Sequence, residues 1–336
     1  MTDRLENADM PYRPAIALIA TGGTIAGAAA SATDTTGYAA GSLGAAELLA
    51  AVPQLGELAE IRAEQAFNLD SKDMGPGHWL QLARRAQALL DDPAIDGIVI
   101  THGTDTLEET AWFLHLVLHG DKPVVMTAAM RPATALSADG PMNLWEAVQV
   151  ASSAVFRGPG VLVAVGGEVF GAADFAKCHT VRPAAFCAPQ GGPMGLAAPP
   201  ARLRGGHTAP AALLARGTLD TVRELPWVEV LHVSAGADPR LLDLLRDAGA
   251  AGVVLALPGN GSLPDAWLPA IARAAGAGLR LLRASRVAAG PVTERGRASP
   301  LPAAGFRTAL QARILLMLAL ATGDDSLLAR GVVAPG

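Results

Sequence analysis

The side chains best suited to chemistry lie in two hydroxyl-bearing stretches, Thr21-Gly-Gly-Thr-Ile-Ala-Gly27 and Thr101-His-Gly-Thr-Asp-Thr-Leu-Glu-Glu-Thr110. Each follows a short apolar run, Ile16-Ala-Leu-Ile-Ala20 in the first case and Ile98-Val-Ile100 in the second. In an open α/β sheet, ligands bind beyond the carboxyl ends of the strands, so both turns are expected to face one pocket there. A threonine hydroxyl is a weak nucleophile until a neighbouring group takes its proton. An aspartate beside such hydroxyls, here Asp105, suits a cationic group through charge-assisted hydrogen bonds.

Plainer readings of the same residues stand beside this one. Thr106 with Glu109 fits a capping box, and Asp105 with Glu108 fits one a residue earlier. Capping accounts for one residue of the turn, not for all. Gly22, Gly23 and Gly27 lack the G-x-G-x-x-G spacing and no Walker lysine follows, which disfavours nucleotide binding. His115 and His119 are spaced i, i+4, but Leu116 stands where a zinc helix carries glutamate and no third ligand is placed, so no metal site is expected. The G-x-S-x-G elbow of serine hydrolases is absent.

The elements that must hold these turns read as an α/β protein of two domains. At 336 residues the chain is long enough for two units of ~150 residues each. Residues 1–14 read as a tail, and 15–204 as a larger N-terminal domain with a mostly parallel sheet and flanking helices. Residues 205–226, rich in Gly, Ala and Pro, read as a linker, and 227–336 as a smaller C-terminal α/β domain. A hydrophobic share of 51% against 17% charged residues excludes a disordered chain. With a net charge of −5 and no basic block, nucleic acid is not an expected partner. No run approaches the ~18 apolar residues of a membrane span, and Ile314–Ala321 reads as a buried helix. The polar first ten residues and the short first apolar run do not read as a signal peptide. Cys178 and Cys187 fit a reducing compartment, although at nine positions apart they can also pair. The cytoplasm is the expected location.

In order and spacing, the two threonine stretches resemble the paired signatures of the bacterial-type L-asparaginases. The resemblance continues through Lys122-Pro-Val-Val-Met126, Ala129-Met-Arg-Pro132, Ser137-Ala-Asp-Gly-Pro141 and Ser285-Arg-Val287, and it spans about Ile16 to Leu320. It implies hydrolysis of L-asparagine to L-aspartate and ammonia, with a glutaminase side activity, as a step of asparagine catabolism. It implies no cofactor.

By the resemblance Thr24 is the nucleophile, and Tyr38, on the Gly-, Ser- and Thr-rich loop 31–41 that closes over the substrate, manages its proton. Thr104 faces the developing oxyanion, Asp105 binds the α-ammonium, Ser71 holds the α-carboxylate, and Lys177 approaches Thr104 and Asp105. Lys72 departs from the Gln or Glu common in relatives. It is expected to alter the amide preference by favouring the carboxylate and repelling the ammonium, or else to point to solvent. Asn260 or Ser262, together with Glu294, is implied to complete the site of a neighbouring subunit in a homotetramer built from close dimers; Glu294 reads equally as a solvent-facing residue. Attack by Thr24 through an acyl-enzyme, or by water assisted by Thr104 and Lys177, both fit these residues, and the resemblance favours the covalent route. An ammonia-supplying amidotransferase subunit and a non-catalytic amino-acid-binding protein are the other readings.

Overall fold

A computed structural model of the chain describes residues 12–204, 212–293 and 299–331. The strands of the first part are β1 (Ala15–Gly22), β2 (Ala28–Ala29), β3 (Tyr38–Ala39), β4 (Glu60–Leu69), β5 (Gly97–Thr101), β6 (Val124–Thr127), β7 (Val161–Val165), β8 (Glu168–Gly171), β9 (Ala176–Lys177), β10 (Phe186–Cys187), β11 (Gly195–Leu196) and β12 (Arg202–Leu203). Those of the second are β13 (Val228–His232), β14 (Gly252–Leu257) and β15 (Arg280–Ser285). The helices are α1 (Ala45–Ala50), α2 (Leu55–Leu58), α3 (Pro76–Asp91), α4 (Leu107–Val117), α5 (Gly140–Ala151), α6 (Thr218–Thr221), α7 (Arg240–Asp247), α8 (Leu268–Gly276), α9 (Ala309–Thr322) and α10 (Ser326–Gly331).

The larger sheet has the order β12-β11-β8-β7-β6-β5-β1-β4. From β4 to β7 neighbouring strands are parallel, and β8, β11 and β12 extend the sheet antiparallel. Strands β5, β6 and β7 are buried along their whole length, as expected of parallel strands covered on both faces. One face packs on α3 and α4 and the other on α5, which gives two hydrophobic cores. The second sheet, β13-β14-β15, is wholly parallel. The expected α/β architecture is thus present, with a large mostly parallel sheet and a smaller one.

The apolar run Ile314–Ala321 lies in α9, and its residues through Ala319 are buried. The helix is apolar all round because it is covered on both sides, by α4 of the larger part and by the strands of the smaller sheet. Trp112 Nε1 donates to Gln311 O at 3.1 Å, and Arg313 pairs with Glu109 at 3.2 Å. The described part of the stretch read as a linker, residues 212–226, is packed rather than free. Leu214, Leu219 and Val222 join the main core, and Leu214 N donates to Leu116 O at 3.1 Å; residues 205–211 lie outside the described residues. Cys178 and Cys187 form a disulfide across the β9–β10 ladder. No helix among the described residues is long and apolar enough to cross a membrane.

At the carboxyl edge of the larger sheet the turn after β1 touches the turn after β5 through bare backbone. A Cβ on Gly23 would lie 2.4 Å from both Gly103 Cα and Gly103 N, and Gly23 itself has φ +80°. With ψ −173° this is a positive-φ, extended conformation essentially reserved for glycine, and it costs another residue about 1–3 kcal/mol. Gly23→Ala is therefore expected to lower stability by more than about 2 kcal/mol in urea unfolding, with backbone overlap added to the φ strain. Gly56→Ala, where no atom lies within 4 Å of the added Cβ, is the control and leaves the midpoint unchanged or raised. Equal midpoints for the two variants would refute the contact.

Candidate active site

Strands β4, β1 and β5 are neighbours and run parallel, with Gly22 opposite Leu69 and Ala20 opposite Thr101. Their carboxyl ends therefore release three turns at one edge, bearing Ser71, Thr24 and Thr104. All three hydroxyl residues are buried. Hydrogen bonds tie the turns together: Thr21 Oγ1 donates to Thr101 O at 2.8 Å, Asp105 N donates to Ser71 Oγ at 3.2 Å, and Thr106 Oγ1 donates to Ser71 O at 2.8 Å.

The last of these contacts overturns the capping reading. Thr106 occupies the N-cap position of α4 but makes no side-chain cap bond, because its hydroxyl is spent on the Ser71 turn. Glu109 pairs with Arg313, and Glu108 accepts the Lys177 backbone N–H at 3.0 Å. The acidic start of α4 thus serves tertiary contacts, and Glu108 is a residue of this site that sequence reasoning set aside as a capping partner.

Tyr38 is brought to Thr24, with its hydroxyl 2.6 Å from Thr24 Oγ1. The pairing of β2 with β3 closes the intervening loop and sets the ring in place. Gly27 leaves room for that ring, since a Cβ there would lie 2.9 Å from Tyr38 Cδ2. On the other side Lys177 Nζ donates to Thr104 Oγ1 at 2.9 Å and to Asp105 Oδ1 at 2.6 Å. The Lys177 side chain is 19% exposed and that of Asp105 56%, so the carboxylate remains open to a ligand arriving from solvent.

Lys72 lies away from this grouping. Its Nζ donates to Asp73 at 2.8 Å and to Asp70 at 3.0 Å, and these bonds hold its ammonium above the usual lysine range. Its exposed position favours the solvent-facing alternative over a direct role. Asn260 and Ser262 follow β14 and are exposed. Asn260 exchanges two hydrogen bonds with Thr293, at 2.7 and 2.8 Å, and no described bond links either residue to Thr24 or Thr104. Glu294 lies outside the described residues.

Burial shapes the remaining charges. It pushes the Glu108 carboxyl up to about 7, helped by the charge of Glu109 and opposed by the Lys177 N–H and ammonium. It pushes the His102 and His115 imidazoles down to about 4. His102 Nδ1 bonds Gly103 O at 2.7 Å within the Thr104 turn. His115 accepts from Val161 N at 3.3 Å and stacks on Trp112, a packing role. Among the described residues no three His, Cys, Asp or Glu side chains are grouped to hold a metal ion.

The family model described as Asparaginase, N-terminal, matches residues 15–204, and that of the Glutaminase/Asparaginase C-terminal domain matches residues 227–330. The chain belongs to the asparaginase family. Relatives within this family include L-asparaginase 2 of Escherichia coli (strain K12), 39% identical over 324 residues that cover 93% of this chain and 90% of the relative. Glutaminase-asparaginase of Pseudomonas fluorescens biotype A is 38% identical over 324 residues, covering 93% and 87%. Among solved structures of the family, the probable cytoplasmic L-asparaginase of Campylobacter jejuni superposes with a TM-score of 0.89 at 36% identity, covering 95% of this chain and 99% of that one.

The buried histidines predict an acid-sensitive fold. Unfolding returns each imidazole to water, where it binds a proton below about pH 6.5, whereas the folded state resists protonation. The stability contributed by His115 is thus full above pH 6.5 and is lost as pH falls towards its folded value of about 4. Glu108 acts in the opposite sense between its ordinary range and about 7, so the informative quantity is a difference between proteins. His115→Gln is expected to flatten the dependence of the urea midpoint on pH between 4 and 6.5 relative to wild type; parallel curves for the two proteins refute this.

Proposed function

We propose that the chain hydrolyses the side-chain amide of L-asparagine to L-aspartate and ammonia, with L-glutamine as a side substrate. The observation that carries this reading is the Thr24–Tyr38 hydroxyl pair at 2.6 Å, with the Thr24 turn in backbone contact with the turn that bears Thr104 and Asp105, to which Lys177 reaches from β9. Family membership supports it, as do relatives that are an L-asparaginase and a glutaminase-asparaginase.

In this reading Thr24 Oγ1 attacks the amide carbonyl and gives its proton to the Tyr38 oxygen as the C–O bond forms, while Tyr38 passes its own phenolic proton on to the leaving nitrogen. The oxyanion faces the Thr104 hydroxyl and backbone N–H, where preorganised donors stabilise developing charge. Collapse breaks the C–N bond, ammonia leaves with a proton, and water then hydrolyses the ester on Thr24. Asp105 takes the α-ammonium and Ser71 the α-carboxylate. Lys177, held by Asp105, directs its Nζ donor at Thr104 Oγ1.

Asn260 and Ser262 stand exposed beyond β14. We infer close dimers that pair into a tetramer, in which Asn260 or Ser262 and, by the family resemblance, Glu294 complete the site of a second copy; a monomer on a sizing column rules this out. The cytoplasm is the proposed location, after the C. jejuni relative. Disulfides such as Cys178–Cys187 persist mainly in oxidising compartments, so finding both residues alkylated as free thiols in fresh cell extract supports the cytoplasm, and finding them paired points to export.

The decisive assay is ammonia release from L-asparagine and L-glutamine. Thr24→Ala and Thr104→Ala are expected to abolish release, and Tyr38→Phe to lower kcat by about 100-fold or more, the usual scale for a lost proton-transfer group. Lys72→Gln is expected to change kcat/KM for either amide by less than about fivefold, because exposed ion pairs contribute only about 1 kcal/mol or less. Binding of L-asparagine with no release by the wild-type chain would favour a non-catalytic amino-acid-binding protein.

A further inference from the structure

We propose that Glu108 is a positioning residue for Lys177: its carboxylate oxygen receives the Lys177 backbone N–H at 3.0 Å and fixes the strand that carries Nζ to Thr104 and Asp105. The proposal rests on the reading of Thr104, Asp105 and Lys177 as catalytic machinery.

Lys177 needs such an anchor because its own element is slight. Strand β9 has two residues and, among the described residues, pairs only with the two of β10, Lys177 facing Phe186 and Ala176 facing Cys187. A two-residue ladder has little capacity to hold a long side chain in one place, since lysine carries about 2 kcal/mol of rotamer entropy. The Cys178–Cys187 disulfide and the stacking of Phe186 on Phe175 clasp the hairpin to itself and to its flank. Neither reaches the turn where Nζ acts. Glu108 does, because it sits in the first turn of α4, immediately after Thr104, Asp105 and Thr106. One short segment therefore grips Lys177 at both ends, its backbone N–H by Glu108 and its Nζ by Thr104 and Asp105.

The alternative, that Glu108 is present for helix stability, is at odds with its surroundings. It caps no helix N–H in place of Thr106, and its carboxyl is half-buried beside a second carboxyl, Glu109, which takes the nearby Arg313 for itself. Burial pushes the Glu108 carboxyl up to about 7, the mark of a group whose ionised form the fold penalises. A penalised acid at this place is accounted for by the contact it makes, and that contact is with Lys177.

The test compares Glu108→Gln, which keeps an oxygen acceptor for the Lys177 N–H, with Glu108→Ala, which removes it. Two readouts are taken on full-length protein whose fold is checked by circular dichroism and thermal unfolding. The first is acetylation of Lys177 Nζ by acetic anhydride, followed by mass spectrometry, which needs no activity. Lys177 is expected to label several-fold faster in Glu108→Ala and at the wild-type rate in Glu108→Gln. The second is ammonia release: in Glu108→Ala kcat falls about 10- to 100-fold, the scale for a catalytic group displaced by about 1 Å, while KM stays within about threefold. Unchanged Lys177 labelling in a folded Glu108→Ala protein overturns the proposal, as does equal faster labelling in both variants. A wild-type chain that releases no ammonia defeats the enzymatic reading alone, since the labelling ratio still reports whether Glu108 holds Lys177. Should Glu108→Ala fail to fold, Glu108→Gln carries the test, and faster Lys177 labelling in that variant overturns the anchor.

Discussion

The site depends on one close approach, the contact of Gly23 with Gly103 beneath which the Ser71 hydroxyl is packed. A side chain on Gly23 would overlap the Gly103 backbone, and one on Gly103 would lie 2.5 Å from Ser71 Oγ. With no side chains between them, the turns after β1, β4 and β5 close on one another, and their hydroxyls reach a common edge. The parallel pairing of these strands is the reason that their carboxyl ends coincide. Hydrogen bonds from Thr21, Asp105 and Thr106 then lock a geometry that the glycines permit.

Around that contact the hydroxyls of Thr24, Thr104 and Thr106 are satisfied by groups on other elements. A buried hydroxyl or carboxyl is costly without partners, and here each partner lies on a different element. Thr24 meets Tyr38 from β3, Thr104 meets Lys177 from β9, and Thr106 meets the turn after β4. Helix α4 gives up side-chain capping in exchange for these cross-links. What remains at its start, an exposed Asp105 carboxylate braced by a lysine, presents negative charge to solvent at the mouth of a hydroxyl-lined edge. That arrangement suits a small zwitterion, for which Asp105 is the proposed partner of the ammonium and Ser71 of the carboxylate.

The smaller sheet is joined to this apparatus by α9 more than by the chain that leads to it. Covered by α4 on one side and by β13–β15 on the other, α9 makes one continuous core of parts that the sequence divides into two. Its bonds to Trp112 and Glu109 fall on α4, the helix that follows the Thr104 turn. The second sheet and the Thr104 turn thus share a support.

Read alone, the sequence determined the α/β class, the two hydroxyl turns, the family and most of the side chains that converge. Strand and turn periodicity are local properties and mark the turns of Thr24, Thr104 and Asp105, whereas Tyr38, Ser71 and Lys177 were legible only through the family resemblance. Only the tertiary structure decided what the acidic start of α4 is for. Thr106 and Glu109 satisfy a capping pattern in one dimension, but their partners, Ser71 and Arg313, stand 35 and 204 residues away in the chain. Glu108 was hidden for the same reason, because the N–H it receives lies 69 residues downstream on a two-residue strand with no periodicity to announce it. The charge of Lys72 suggested a role that its neighbours Asp70 and Asp73 take up. Local pattern reveals which element forms; where a side chain's partner lies far off in the chain, only the packing of those elements chooses it.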